Sequence, residues 1–172
     1  MSSQISAFRI RRVGSTEVRS VVPLFDAYRR FYHRTSDPPA AYRYLRERLA
    51  RDQAIILLAQ EKTEALGFAL IYPTFSSLAL RPLWILNDLY VRPEARRGGI
   101  ARQLLDRAEA EARAARAAGL ILDTARGNRA AQRLYSAHGW VRDEKFLHYE
   151  LALGPSERRS SPVQRSDRRG AP

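Results

Sequence analysis

Residues 84–105, WILNDLYVRPEARRGGIARQLL, constrain the fold of this chain more than any other stretch. The first part, residues 84–91, is mostly apolar, β-branched or aromatic, which predicts a buried strand. Pro93 closes that strand because proline has no N–H to donate to a neighbouring strand. A helix is predicted after the Gly98-Gly99 pair, with an apolar stripe made of Ile100, Leu104, Leu105 and Ala108.

The predicted start of this helix is suited to binding a phosphate. The first turn of a helix leaves backbone N–H groups without partners, and the helix dipole adds positive charge at the same end. Gly98 and Gly99 allow a ligand to approach the backbone without meeting a Cβ atom. Residues 96–102 are therefore a predicted pyrophosphate site.

A second motif lies further along the chain. Residues 120–124 form a predicted buried strand, and Asn128 then caps a helix that contains Leu134 and Tyr135 and ends near Gly139. The sequence of this helix start, Asn-Arg-Ala-Ala-Gln-Arg-Leu-Tyr, places a capping amide and a phenol on one short element.

Together the two motifs resemble those of the GNAT superfamily of N-acetyltransferases. Arg96, Gly99 and Ala101 occupy the fixed positions of its acyl-CoA signature, Gln/Arg-x-x-Gly-x-Gly/Ala. Asn128 and Tyr135 lie in a close match to its second motif, Asn-x-x-Ala-x-x-x-Tyr. Each pattern is short, but the two support each other because they occur in the family's order and spacing.

The order of predicted elements, β-α-α-β-β-β-α-β-α-β, is also the GNAT order, and the resemblance covers roughly residues 5–153. It implies an α/β (α+β) fold with a mixed, mostly antiparallel central sheet flanked by helices. We expect one acetyltransferase domain over residues 1–153 and a disordered Arg/Ser/Pro-rich tail over residues 154–172. Pro23 is expected to kink or break the first helix. The predicted strands are residues 8–13, 54–60, 66–75, 84–91, 120–124 and 144–153.

The resemblance implies that acetyl-CoA is the co-substrate and that no metal is needed. Asn128 would contact the pantetheine, and Tyr135 would donate a proton to the leaving sulfur. An ordinary amphipathic-helix aromatic is the alternative interpretation of Tyr135. The remaining expected cofactor-binding residues are Leu89, Tyr90, Val91, Arg96, Arg97, Gly98, Gly99, Ile100, Ala101 and Arg102.

The acceptor end is expected around Asn87 and Asp88. Polyamine-type members of the family typically have Leu-Glu-Asp where this chain has Leu-Asn-Asp, and an amide cannot serve as a base. Asp88 or an ordered water is left as the proton route. Strict alternation would place Asp88 on one face with Leu86 and Tyr90, unless a bulge changes the register.

Three aromatic residues of the first helix have two interpretations. Tyr28, Phe31 and Tyr32 are either core-facing side chains or the wall of an acceptor pocket, where aromatic faces suit a cationic amine.

Composition limits the remaining alternatives. The net charge of +12 comes almost entirely from arginine, with Lys62 and Lys145 as the only lysines, and we discount nucleic acid as a partner. No run is long and apolar enough for a membrane helix, the N-terminus lacks a secretory signal, and there is no cysteine, so a cytoplasmic protein is expected. A homodimer is left open.

We therefore predict an enzyme that moves an acetyl group from acetyl-CoA to a primary amine of a small, polyamine- or amino-acid-like molecule. Transfer would be direct within a ternary complex, so the absence of a cysteine nucleophile is no objection. The alternatives are an acetyltransferase for protein lysines or N-termini and a non-catalytic acyl-CoA-binding module.

Overall fold

The structure, a computed structural model, describes residues 8–151 and residue 153. Within this part of the chain no helix is long and apolar enough to cross a membrane. The elements, in chain order, are β1 (Arg9–Arg12), α1 (Val22–Phe31), α2 (Pro38–Ala50), β2 (Ile55–Glu61), β3 (Glu64–Ser76), β4 (Arg81–Val91), α3 (Ile100–Ala114), β5 (Leu120–Ile121) and α4 (Arg129–Ala137), with single 3-10 turns at Val18–Ser20 and Pro93–Ala95.

The five strands form one sheet in the order β1-β2-β3-β4-β5. Neighbours from β1 to β4 are antiparallel, whereas β4 and β5 are parallel, so the predicted mixed and mostly antiparallel sheet is confirmed. The parallel pair is joined by α3, as a parallel connection requires a crossover.

Helices cover both faces of the sheet and create two cores. On one face α3 inserts Leu104 and Leu105 against Leu57, Ile71 and Trp84. On the other face α1 and α2 contribute a second set of buried side chains, which includes Leu24, Phe25, Leu45, Leu58 and Phe68. Most of β2 and the middle of β3 are therefore buried on both sides.

The expected break at Pro23 is confirmed. A 3-10 turn at Val18–Ser20 precedes α1, which begins at Val22, so Pro23 falls in the first helical turn. Proline is tolerated there because the N–H that it lacks would have no helical partner. The next helix, α2, begins at Pro38, with the Asp37 carboxylate accepting from the Ala40 N–H at 2.9 Å.

The connection predicted at residues 75–82 is shorter than expected. The β3 and β4 strands remain paired out to Ser76 and Arg81, leaving only a turn at residues 77–80. The ladder includes the pair of Phe75 with Pro82, and proline is tolerated there because it lies near the start of β4.

The strand predicted for residues 144–153 is wrong. The described residues of this segment form no strand, and Phe146, Leu147, Tyr149 and Leu151 are 78–85% exposed. Alternating apolar residues make a strand only where a neighbour can pair with them, and β5, predicted over residues 120–124, is only two residues long. The observed order is therefore β-α-α-β-β-β-α-β-α. Residue 152 and the predicted tail over residues 154–172 lie outside the described residues.

Candidate active site

A cavity opens where β4 and β5 separate. Their pairing is limited to Trp84 with Leu120 and Ile85 with Ile121, after which β4 continues to Val91 with no strand on that side among the described residues. The cavity measures about 450 Å³ and is lined by β4, the start of α3, the segment after β5, α4 and the end of α1. Of the predicted site residues, it brings together Tyr28, Phe31, Tyr32, Asn87, Leu89, Tyr90, Val91, Arg96, Arg97, Gly99, Ile100, Ala101, Arg102, Asn128 and Tyr135.

A β-bulge at Asn87 determines which face of the sheet each side chain of β4 lies on. Leu70 of β3 pairs with Asp88, but the next residue, Ile71, pairs with Leu86, so Asn87 is the additional residue. Leu86 consequently packs in the α3 core, whereas Asp88 shares the opposite face with Tyr90. The alternative of strict alternation, which would put Leu86 and Asp88 on one face, is wrong.

The α3 end of the cavity has an unusual backbone. Arg97 and Gly99 have positive φ angles of 66° and 79°, and Gly99 is the N-cap of α3. A Cβ on Gly99 would meet nothing within 4 Å, so the left-handed backbone, rather than crowding, favours glycine there. No side chain among the described residues caps α3, and its first N–H groups remain available to a ligand. Gly98, a predicted binding residue, does not line the cavity.

Arg96 holds the loop before α3 against the end of β4. Its Nε donates to the Val91 carbonyl oxygen at 3.0 Å, and its guanidinium lies 5.9 Å from the centre of the Tyr90 ring. These contacts fix the loop and leave the rest of the guanidinium on the cavity wall.

Asn128 caps α4 as predicted, with its Oδ1 accepting from the Ala131 N–H at 3.1 Å. This contact fixes the side chain with its NH₂ group still able to donate into the cavity. Gln132 stabilises the preceding loop, since its Nε2 donates to the carbonyl oxygens of Ala125 and Arg126 at 3.1 and 2.8 Å. The sequence pattern did not predict this role of Gln132.

Tyr135 of α4 lines the cavity. Its ring packs against Trp140 with 5.8 Å between ring centres. Burial raises the pKa of Tyr135 to about 12, and the nearby Tyr32 contributes to the increase. The phenol is therefore protonated at neutral pH and can act as a hydrogen-bond donor.

Asp88 lies behind the cavity rather than on its wall, which corrects its expected place as a lining residue. It is 6% exposed, and its carboxylate accepts from Asn87 Nδ2 at 3.1 Å and from the Tyr28 hydroxyl. Burial raises the pKa of Asp88, and these two hydrogen bonds oppose the increase. Asn87 and Tyr28, which do line the cavity, therefore connect the buried charge to it.

The aromatic residues of α1 form the wall opposite α4. Phe31 and Tyr32 are 57% and 43% exposed, which does not fit core-facing side chains. The Tyr28 and Tyr32 rings are 5.0 Å apart, edge to face, and Tyr28 also packs against Phe68 in the core. Tyr28, Phe31 and Tyr32 form the aromatic end of the cavity, which is distinct from its α3 end.

Several lining residues were missed from sequence. Asp123 and Thr124 follow β5, at the carboxyl end of a strand parallel to β4, where side chains commonly meet a ligand. That rule could have found them. The others are mostly apolar wall residues without a sequence pattern of their own: Leu86, Ala95, Ala130, Ala131 and Leu134.

Comparison with known proteins agrees with this geometry. The protein-family model described as "Acetyltransferase (GNAT) family" matches residues 21–140 of this chain. The uncharacterized N-acetyltransferase YhfO of Bacillus subtilis strain 168 is 40% identical over 142 residues, which cover 83% of this chain and 95% of the relative.

Solved structures give the same result. The crystal structure of a probable acetyltransferase is 38% identical with a TM-score of 0.81, and the match covers 86% of this chain and 99% of that one. Aminoglycoside N-acetyltransferase AAC(6')-Iy, in complex with CoA, is 21% identical with a TM-score of 0.72 over 88% of this chain and 99% of its own, and it shows the fold alone. The chain therefore belongs to the GNAT family and is an acetyl-CoA-dependent N-acetyltransferase.

Proposed function

We propose that this enzyme acetylates the primary amine of a small molecule by direct transfer from acetyl-CoA in a ternary complex. The observation that carries the proposal is one cavity whose lining includes both the start of α3 and the aromatic residues Tyr28, Phe31 and Tyr32, with Tyr135 on the same lining near Tyr32. A two-ended cavity of this kind suits two substrates that react where they meet.

The α3 end is the proposed site for the cofactor pyrophosphate. Backbone N–H groups of the first turn and the guanidinium groups of Arg96, Arg97 and Arg102 supply positive charge around one end of the cavity. The Asn128 NH₂ group would donate to a pantetheine carbonyl oxygen. The main chain of Leu89 to Val91, which borders the gap between β4 and β5, would pair with the pantetheine amides.

The chemistry follows from where the donors lie. A neutral amine attacks the thioester carbonyl carbon, and the resulting oxyanion is stabilised by a β4 backbone N–H at Leu89 or Tyr90. The carbon–sulfur bond then breaks, and the Tyr135 hydroxyl protonates the departing thiolate. The proton that the amine loses passes through water, next to Asn87 and Tyr28, toward Asp88. No covalent acyl-enzyme is needed.

An amine-panel assay tests the proposal. Release of the CoA thiol is followed with acetyl-CoA and small amines, a peptide with a free N-terminus and a lysine-containing peptide with a blocked N-terminus. We expect release with small amines; release only with a peptide would favour the protein-acetylating alternative. Acetyl-CoA binding by calorimetry without any turnover would favour the non-catalytic alternative. Tyr149→Phe, 85% exposed and outside the cavity lining, is a matched control for Tyr135→Phe.

A further inference from the structure

A row of tyrosines continues the acceptor end across the α1–α2 face of the sheet. Tyr72 lies two residues beyond Leu70, the partner of Asp88, and both side chains are on the same face of β3. The hydroxyl groups of Tyr72 and Tyr44 are 2.7 Å apart. Tyr44 is 43% exposed, so the row is open to solvent at this end.

Arg48 of α2 lies at the far end of this row. Its guanidinium is 5.7 Å from the centre of the Tyr44 ring. Its Nη2 contacts Glu47 Oε1 at 2.7 Å, but Arg51 shares that same oxygen at 3.0 Å. The Arg48 Nε is buried and has no hydrogen-bond partner among the described residues. The Arg48 side chain as a whole is 26% exposed, so its other guanidinium N–H groups are accessible to an acceptor group.

Tyr72 connects the two charged residues. Burial raises the pKa of Tyr72, the hydrogen bond with Tyr44 and the negative charge of Asp88 raise it further, and Arg48 lowers it. The Tyr72 hydroxyl is therefore close to both Asp88 and Arg48. Tyr72 and Asp88 are diagonal neighbours on the paired strands β3 and β4, where such residues lie about 7–8 Å apart, and Arg48 belongs to α2 on the same face of the sheet.

The surrounding charge is unfavourable for a polycation. Asp26, the other buried carboxylate of this face, already accepts from Ser36 Oγ at 2.7 Å and from the Asp37 N–H at 2.9 Å. Asp88 differs because the donors to its carboxylate, Asn87 and Tyr28, line the cavity, so Asp88 is the buried carboxylate of the described residues that lies next to an amine bound there. Helices α1 and α2 carry Asp26 and Glu47 as their acids, against Arg29, Arg30, Arg43, Arg46 and Arg48.

We propose that the acceptor is a zwitterion whose amine binds at Asn87, Tyr28 and Asp88 and whose anionic group, several bonds away, binds at Arg48, Tyr44 and Tyr72. This inference rests on the proposed function, because it assigns the substrate class of the same site. One carboxylate matches one ammonium group, and the Arg48 guanidinium, whose ion-pair partner Glu47 is shared with Arg51, matches one anion. Diamines and larger polycations are rejected because their second positive charge would face Arg48.

The test compares acceptors that share one chain length. For two to six methylene groups, kcat/KM is measured for the alkylamine, the ω-amino acid and the diamine. We expect the best ω-amino acid to exceed its diamine by about 10-fold or more, since the two differ only in the charge facing Arg48. Arg48→Gln should lower kcat/KM for the ω-amino acid about 10- to 100-fold, the effect of losing a hydrogen bond between charged groups, and leave the alkylamine unchanged.

Arg51→Gln is the control, since Arg51 shares Glu47 with Arg48 but is not part of the tyrosine row. Arg48→Lys, which keeps the charge and loses Nε, should retain part of the preference and provides a second variant if Arg48→Gln does not fold. Turnover of diamines at least equal to that of ω-amino acids, or equal effects of the Arg48 and Arg51 variants, overturns the inference and leaves the proposed function standing. If no member releases CoA, the proposed function fails. In that case, calorimetry of the ω-amino acids with the acetyl-CoA complex decides the inference: binding that Arg48→Gln weakens supports it, and no binding overturns it.

Discussion

Replacing Asp88 with asparagine tests whether this buried carboxylate attracts the acceptor amine or has a structural role alone. The change keeps the side-chain size and one oxygen, so the Tyr28 hydroxyl can still donate to it, but it removes the negative charge. If Asp88 attracts the acceptor amine, Asp88→Asn weakens acceptor binding and leaves acetyl-CoA binding unchanged, because Asp88 lies behind the aromatic end of the cavity and away from α3.

The size of the effect follows from the surroundings of the carboxylate. Asp88 is 6% exposed, so solvent screens its charge weakly. A hydrogen bond to a charged group contributes about 1.5–3 kcal/mol, which corresponds to roughly a 10- to 150-fold rise in the acceptor KM. The value should lie toward the lower end, because Asn87 and Tyr28 stand between Asp88 and the cavity.

The pH dependence gives a second, independent readout. Burial raises the pKa of Asp88, so wild-type kcat/KM should fall on acidification at a higher pH than an exposed aspartate would give, and Asp88→Asn should lack this fall. Stability should respond in the same pH range. A carboxyl group whose pKa is higher in the folded state than in the unfolded state binds its proton more tightly in the folded state. The free energy of unfolding of wild type should therefore fall, relative to that of Asp88→Asn, as the pH rises from the pKa of Asp88 in the unfolded state to its pKa in the folded state.

The assay is steady-state CoA release at varied acceptor concentration and pH, combined with urea unfolding at the same pH values. Asp26→Asn is the control, because Asp26 is equally buried but its hydrogen-bond donors, Ser36 and Asp37, do not line the cavity, whereas the donors to Asp88 do. It should lower stability, because an amide keeps only one of the two oxygens that accept these hydrogen bonds, and it should leave the acceptor KM unchanged. Unaltered acceptor kinetics and pH profile in Asp88→Asn would refute the reasoning and make Asp88 a structural residue.

Three other changes test the site and the fold that positions it. Gly99→Glu should bind acetyl-CoA at least about 10-fold more weakly than Gly99→Ala in calorimetry. Both variants share the strain of the 79° φ angle, but only glutamate adds a negative charge. Equal affinities would contradict the pyrophosphate site. Gly67→Ala should lower the free energy of unfolding by about 1–3 kcal/mol, since its Cβ would lie 2.8 Å from the Tyr90 carbonyl oxygen; a neutral effect would mean that β3 and β4 can separate locally. Leu104→Ala should cost about 2–5 kcal/mol because Leu104 is fully buried between α3 and the sheet, and a smaller loss would indicate that the core collapses around the vacancy.

The sequence was sufficient where a local pattern determines the structure. The strand, loop and helix of residues 84–105, the cap at Asn128 and the helix start at Asp37 each depend on residues close together in the chain, and each is present. The 3-10 turn before α1 likewise follows from the position of Pro23.

Features that depend on pairing between distant segments were less accessible. The bulge at Asn87 exists only relative to Leu70 and Ile71 of β3, and it decides which way Asp88 faces. The predicted strand over residues 144–153 has a good alternating pattern but no neighbouring strand in the described structure. The hydrogen bond between Tyr44 and Tyr72 joins residues 28 positions apart, so spacing alone could not reveal it.

The turnover number of Tyr135→Phe with an accepted amine tests the central claim most directly. Phenylalanine keeps the ring against Trp140 and removes only the hydroxyl that the mechanism uses. We predict that kcat falls by roughly 10²-fold or more, while the Kd for acetyl-CoA and the kcat of Tyr149→Phe stay at their wild-type values. A wild-type kcat in Tyr135→Phe, measured where the chemical step limits the rate, would contradict the account.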